Sequence, residues 1–515
     1  MRSIKSLWLV AIRLALAALI GSSLLAAPPH YGGTLRVKLR AASVSLDPRE
    51  WTPGSLSMAE NEKVAALVYD RLVTLDDYGK FQPALAMEWT HDASFKNWQF
   101  KLRPGARFSD GSPLTTAHAA TALQSTLGKN LEVSATDTSV NIHALHPAPD
   151  LLEQLASGRN FIFRAQLDGT LIGTGPFFVA ETTAATPSET NPAAIKPAKI
   201  RLQANENCWA GRPFVDFIEV TLGEPPLRQL MDLQIGKADI VELAPDLVRK
   251  GRQEGLRIWN SAPLTLVALR FDDSLASPAA DQLREALWLA LDRDTMANVL
   301  LQRQAQPAAA LLPQWLTGYA LLFESPMSLE RARELRASLP EGEPGAAQAL
   351  RLHVDAPGDL FKLMGERVAV NARQANLQVQ IASPGNANGL SSALSASADG
   401  LRLFAWRYDS LSPHAALDAM LRQMPDGTEV PAAASDPEQL YLQERRLLEE
   451  RRILPLVFLP DYVGIRSGVH NWNATPWGDW RLADVWLESE DSSLAKSSVA
   501  TPRENSTVRT PGAKP

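Results

Sequence analysis

The chain has 515 residues, 45% hydrophobic and 21% charged, with 30 glycines, 36 prolines and one cysteine. This balance excludes a small disulfide scaffold, a collagen and a mostly disordered chain, and the length suffices for two or three domains. A formal charge of -6 argues against a nucleic-acid binder, and the lone Cys208 can neither close an intramolecular disulfide nor found a Cys-rich zinc site.

In chain order, residues 1–27 come first. They carry Arg2, Lys5 and Arg13 and then an uncharged run from Leu14 to Ala27. That run falls short of the ~20 residues a helix needs to cross a bilayer. It reads as the core of a secretory signal peptide, cleaved or kept as an uncleaved membrane tether. No cysteine stands there to carry a lipid. The expected location is the periplasm. Tyr31 to Leu39 alternates after a Gly pair and predicts a strand. Glu62 to Leu72 sets Val64, Leu67, Val68 and Leu72 on one helical face. Residues 98–103 predict a strand that runs into a Gly/Pro-rich corner. A helix follows over Thr115 to Leu127, a polar loop over 183–199, and strands over 200–203, 215–222 and 237–243.

Leu283 to Leu301 predicts one amphipathic helix. Leu350 to Val354 and Leu377 to Ile381 predict strands flanking a helix. Leu401 to Trp406 has almost no polar outside, so it predicts a central strand. Glu438 to Arg452 predicts a charged helix with Arg445–Glu449 and Arg446–Glu450 pairs, and ILPLVFLP after it a buried strand. Residues 489–515 have no apolar period and are expected to be disordered. No repeat of roughly 20–50 residues is found. Strands and helices interleave, so the class is α/β.

Several segments stand in a particular order: YGGTLRV at 31–37, WQFKLRPGARFSDGSPLTTAHA at 98–119, GTGPFFV at 173–179, NENCWAGRPFVDFIEV at 205–220, LREALWLALDRDTM at 283–296, WRYDSLSP at 406–413 and LYLQERRLLEERRILPLVFL at 440–459. The chain resembles the extracytoplasmic solute-binding proteins of family 5, which serve peptide, opine and nickel ABC transporters. The resemblance spans about residues 31–488. It implies a two-lobed periplasmic binding protein-like fold (type II, cluster C) with an extra subdomain in the first lobe. Lobe I would hold 31–42, 180–262 and 464–488, the extra subdomain 43–179, and lobe II 263–463. The chain would cross between lobes near Ala262–Leu266 and Leu459–Ile465, forming a hinge.

The resemblance also implies a site. Peptide-binding members hold the ligand's amine with a carboxylate in a W-x-x-D-Y-x-D-P stretch. Here Trp406, Asp409 and Pro413 match, while Ser410 and Ser412 replace the Tyr and the second Asp. Asp409 is the candidate amine anchor, by a charge-assisted hydrogen bond, with a loop-capping role as the alternative. Trp406 is either pocket wall or core, and Arg407, in the same stretch, is a further candidate ligand contact. Leu403 stands where some oligopeptide binders carry an arginine, and Arg402 points to the other face of the strand. His414 resembles the P-H stretch of the nickel-binding branch, where a histidine helps hold a chelate; an exposed loop histidine is the alternative. His143 and His146 read as surface residues.

Other residues read as scaffold. Gly105 and Gly111 set turns, Asp110 reads as a turn carboxylate, and Asp292 as a local pairing or capping residue. His118 replaces an acidic helix-start residue of the family. Cys208 reads as a small buried hydrophobe. No G-x-S-x-G, H-E-x-x-H or S-x-x-K with K-T-G points to a hydrolase, and no phosphate-binding loop is present. The chain is therefore expected to be a non-enzymatic receptor without a cofactor or resident metal. It would be a monomer that binds no nucleic acid and passes peptides or peptide-like solutes to a permease with a separate ATPase. A nickel-chelate or haem receptor is the alternative within the family; an exported chaperone or hydrolase is the alternative outside it.

Overall fold

The computed structural model describes residues 29–156, 158–187, 195–271, 278–319, 322–340, 349–382, 400–424 and 436–488. The expected signal segment and C-terminal tail lie outside them.

An eleven-stranded mixed sheet runs through the molecule. Its order is Phe177–Thr183, Lys199–Ala204, Phe217–Leu222, Thr34–Leu39, Ile240–Leu243, Ile453–Ile465, Arg257–Phe271, Leu401–Arg407, Leu350–Val354 and Val379–Ile381. The short Gln306–Pro307 strand pairs with Ile453–Ile465 off this path. Two long strands make the sheet continuous. Arg257–Phe271 and Ile453–Ile465 pair antiparallel from Arg257↔Ile465 to Arg270↔Ile453. At one end Ile465 pairs with Ile240, and at the other Leu266 pairs with Trp406. Between these ends the register shifts on either side of Pro263, which faces Pro460. Neither proline has an N–H to give, so the ladder is interrupted where the chain crosses.

Hydrophobic cores form at both ends. Leu35, Val37, Val220 and Ile240 belong to one. It continues into Trp98, Phe100 and Val140 of a separate four-stranded antiparallel sheet, ordered Ala86–His91, Asn97–Leu102, Ser139–Ala144, Leu131–Ala135. At the other end Val267, Leu269, Leu401 and Leu403 pack with Leu287, Met364 and Val368 of helices on one face. Leu266, Ala268, Phe404 and Trp406 pack with Leu417 and Met420 on the opposite face. Helices on both faces explain why Leu401–Arg407 is buried at every position and shows no alternation in sequence.

Many expected elements fall where the sequence puts them: the Thr116–Thr126 helix, the Leu350–Val354 and Val379–Ile381 strands around the Asp359–Gln374 helix, and the Pro437–Glu449 helix before Ile453–Ile465. Three differ. The helix expected over Glu62 to Leu72 spans Leu56–Val68, because the Ser55 hydroxyl caps the Met58 N–H and Tyr69 turns extended. Asp70 then forms an antiparallel bridge to Ile162. The helix expected over Leu283 to Leu301 breaks after Ala290. Asp292 accepts the Thr295 N–H at 2.9 Å, and a wider turn follows in which Leu301 N donates to Met296 O at 3.0 Å. Buried Arg293 favours the break: its Nε donates to the Pro455 carbonyl at 2.7 Å and its guanidinium lies 3.8 Å from the Trp288 ring centroid. The loop expected over 183–199 contains a short ladder between Thr186–Pro187 and Ile195–Lys196.

Scaffold residues behave as turn and cap chemistry predicts. Gly105 and Gly111 have φ of 78° and 82°. Asp110 accepts from Ser112 N at 3.0 Å and pairs with Arg164 at 2.6 Å. Thr115 and His118 form a reciprocal capping box. Cys208 is half-buried, and burial pushes its thiol up to about 11, so it stays protonated.

Candidate functional site

Beside the crossing strands lies a cavity of about 50 Å³, assembled from segments far apart in sequence. The Leu56–Val68 helix contributes Met58, Ala59, Glu62 and Lys63, positions one turn apart on one face. The end of the Leu401–Arg407 strand delivers Arg407, and Tyr408 to Leu411 follow it. Trp477 to Trp480 come from the C-terminal segment, and Trp315 from beyond the crossing.

Charge dominates these walls. Arg407 makes a bidentate pair with Asp461, with both N···O distances 2.9 Å, and donates its backbone N–H to Gly54 O at 2.9 Å. Burial alone would raise the Asp461 pKa, but Arg407 and Lys63 outweigh it and hold the carboxyl well below the usual range. Lys63 is pinned between Glu242 and Glu60, the latter at 3.1 Å. Burial pushes Glu60 up to about 7, reinforced by Glu242. Glu62 pairs with Arg71, which stacks 4.0 Å from the Phe161 centroid. Burial pushes Glu62 up to about 7 against the pull of Arg71, and Asp479 and Asp409 push the same way.

Asp409 lines the cavity and is partly exposed. Burial raises its pKa, opposed by its own backbone N–H and by the charges of Arg407 and Arg159. Trp406 does not line the cavity: it is 1% exposed, inside the core, with its ring against Gly54. A Cβ on Gly54 would sit 2.2 Å from that ring. His414 occupies the first turn of the Pro413–Arg422 helix, outside the cavity lining. Arg402 is turned to Asp355 at 3.1 Å and Leu403 is fully buried in the core, so this strand presents neither to the cavity. His143 is exposed, as expected.

Glu62, Lys63, Asp461, Asp479 and the three tryptophans Trp315, Trp477 and Trp480 were not singled out in the sequence. The apolar period of their helix hides Glu62 and Lys63, and Asp461 merely follows an apolar run. Among the described residues no group of three His, Cys, Asp or Glu is placed to hold a metal ion. No helix there is long and apolar enough to cross a membrane.

Two cored bodies on one sheet, joined by two crossing strands with a charged cavity beside the crossing, define a two-lobed binding protein. Residues 80–427 match the family "Bacterial extracellular solute-binding proteins, family 5 Middle", and the chain belongs to that family. It is 24% identical over 376 residues to the nickel-binding periplasmic protein of Escherichia coli K12, covering 65% of this chain and 68% of that one. It is 25% identical over 378 residues to the probable di/tripeptide-binding protein 5 of Pseudomonas aeruginosa UCBPP-PA14, covering 64% and 69%. The fold is similar to that of NikA from Brucella suis in complex with Fe(III)-EDTA, with a TM-score of 0.74 at 17% identity over 88% of this chain and 100% of that one. It is also similar to that of the oligopeptide-binding protein AppA from Bacillus subtilis in complex with a nonapeptide, with a TM-score of 0.73 at 14% identity over 90% and 100%.

Proposed function

We propose that this protein is the periplasmic receptor of an ABC transporter, that it closes its two lobes on a peptide or peptide-like solute, and that Asp409 anchors the solute's amine. The observation that carries this reading is the Asp409 carboxyl: it lines the inter-lobe cavity, and no other side chain among the described residues hydrogen-bonds to it. A buried carboxylate facing an ammonium makes a charge-assisted contact that both partners lose when the lobes part. The chain carries out no catalysis in this reading and hands the solute to a separate permease and ATPase. Residues 31–42, 180–262 and 464–488 form lobe I, 43–179 its extra subdomain and 263–463 lobe II. Residues 1–27 direct export. Arg407 shapes the site through Asp461, and Trp406 supports it from the core.

Relatives named for nickel and for peptides are both similar to this chain, but no observation at the cavity favours a metal chelate, since His414 stands outside its lining. The test is isothermal titration of a dipeptide panel into wild type and Asp409→Asn. The variant is expected to bind at least tenfold more weakly, about 1.4 kcal/mol, with an unchanged melting temperature. Equal affinity for every ligand that binds wild type removes Asp409 from the site.

A further inference from the structure

Both cations on the cavity wall are already committed. Arg407 gives its fork to Asp461, and Lys63 gives its ammonium to Glu60 and Glu242. Glu62 is in turn paired with Arg71. Two lining carboxylates remain without a hydrogen bond from another side chain among the described residues, Asp409 and Asp479. Arg159 attracts Asp409 only at longer range. Both line the same cavity as Glu62.

The remaining wall is aromatic. Trp315 and Trp477 lie with ring centroids 5.4 Å apart at 32°. Trp480 is 6% exposed, and the Lys63 ammonium already lies 5.4 Å from its ring centroid, so the open aromatic faces are those of Trp315 and Trp477. Carboxylates and tryptophan faces both favour a desolvated cation. A ligand carboxylate would have to take Arg407 from Asp461 or Lys63 from its two glutamates, leaving a buried charge unpaired, which is costly.

We infer that the cavity selects a small organic cation with two positive centres, of the alkyl diamine class, with Asp409 and Asp479 each taking one ammonium and no cation among its described lining residues left to read a carboxylate. This rests on the proposal that the cavity is the solute site, and it narrows that solute to a charge pattern of one sign.

The test is titration calorimetry on the purified protein with 1,4-diaminobutane, 1,5-diaminopentane, dialanine, dialanine amide and N-acetyl-dialanine. The expected result is that a diamine binds, that dialanine amide binds at least as tightly as dialanine, and that N-acetylation abolishes binding. Asp479→Asn should weaken the diamine at least tenfold, while Asp479→Glu, which keeps the charge, should restore most of the affinity; thermal melts check that both variants fold. If neither diamine binds wild type, the inference is overturned. Dialanine binding alone would then leave the peptide-receptor reading standing, and silence from all five probes would remove both.

Discussion

Gly54 and Trp406 meet across the molecule, 352 positions apart by their numbering, and their contact sets what the cavity can be. Gly54 has φ of 71°, where a side chain is strained, and a Cβ would strike the indole at 2.2 Å. The Trp406 ring cannot yield easily, because it is packed among Leu266, Phe404 and Leu417. Gly54→Ala is expected to destabilise by about 2 kcal/mol or more, combining backbone strain with overpacking. Chemical denaturation reads this directly; an unchanged midpoint would contradict the packing. Trp406 was legible in the sequence as part of a motif, but its choice between pocket wall and core was not. That choice depends on which face of the strand the rest of the chain covers.

The Pro437–Glu449 helix illustrates the element scale. Its Arg445–Glu449 and Arg446–Glu450 pairs are exposed at 2.9 and 3.3 Å, as the i,i+4 spacing predicts, and contribute only a few tenths of a kcal/mol. The residue just before them, Glu444, is 0% exposed and accepts the N–H groups of Leu311 and Leu312 at 2.7 and 2.8 Å. Burial pushes it up to about 7 despite those two donors. With the folded pKa above the unfolded value of 4.5, the folded state binds the proton more tightly. The resulting stability is full below about 4.5 and is lost as pH rises through about 7. Glu444→Gln keeps an acceptor for both N–H groups and removes the titration. Relative to this variant, wild type should lose on the order of 3 kcal/mol between pH 4.5 and 8. Urea denaturation at both pH values measures the difference, and an offset that does not change with pH would refute it. The charge pattern of this helix reads as wholly solvated, so the sequence concealed the one glutamate that is buried.

At the scale of the whole molecule, the crossing is the mechanical feature. Pro263 faces Pro460 between two register shifts, and Ser261 Oγ accepts the Asp461 N–H at 2.8 Å beside them. A few torsions there can rotate one cored body against the other. The cavity of about 50 Å³ is far smaller than small-ligand pockets, which run to roughly 300 Å³ or more. Solute entry therefore requires the lobes to part. Small-angle X-ray scattering should give a larger radius of gyration for ligand-free protein than for protein saturated with its solute, and superimposable curves would argue against a hinge.

Local patterns determined much of this protein without the structure. Strand and helix periods place most elements, turn glycines and the Asp110 and Thr115 caps act over a few residues, and the ordered segments from YGGTLRV to the ILPLVFLP run carry the family resemblance and with it Asp409. All of these are written in neighbours along the chain. The Leu283 to Leu301 helix escaped because Arg293 finds its acceptor at Pro455, 162 positions away, and no local period records such a partner. The cavity escaped for the same reason. Arg407 is neutralised by Asp461 and Lys63 by Glu242, and Trp406 packs on Gly54; each pairing joins segments far apart in the chain and exists only once the chain has folded. Sequence named the candidate carboxylate; tertiary structure decided which charges around it remained unspent, because the pairing of buried charges depends on distances that only folding sets.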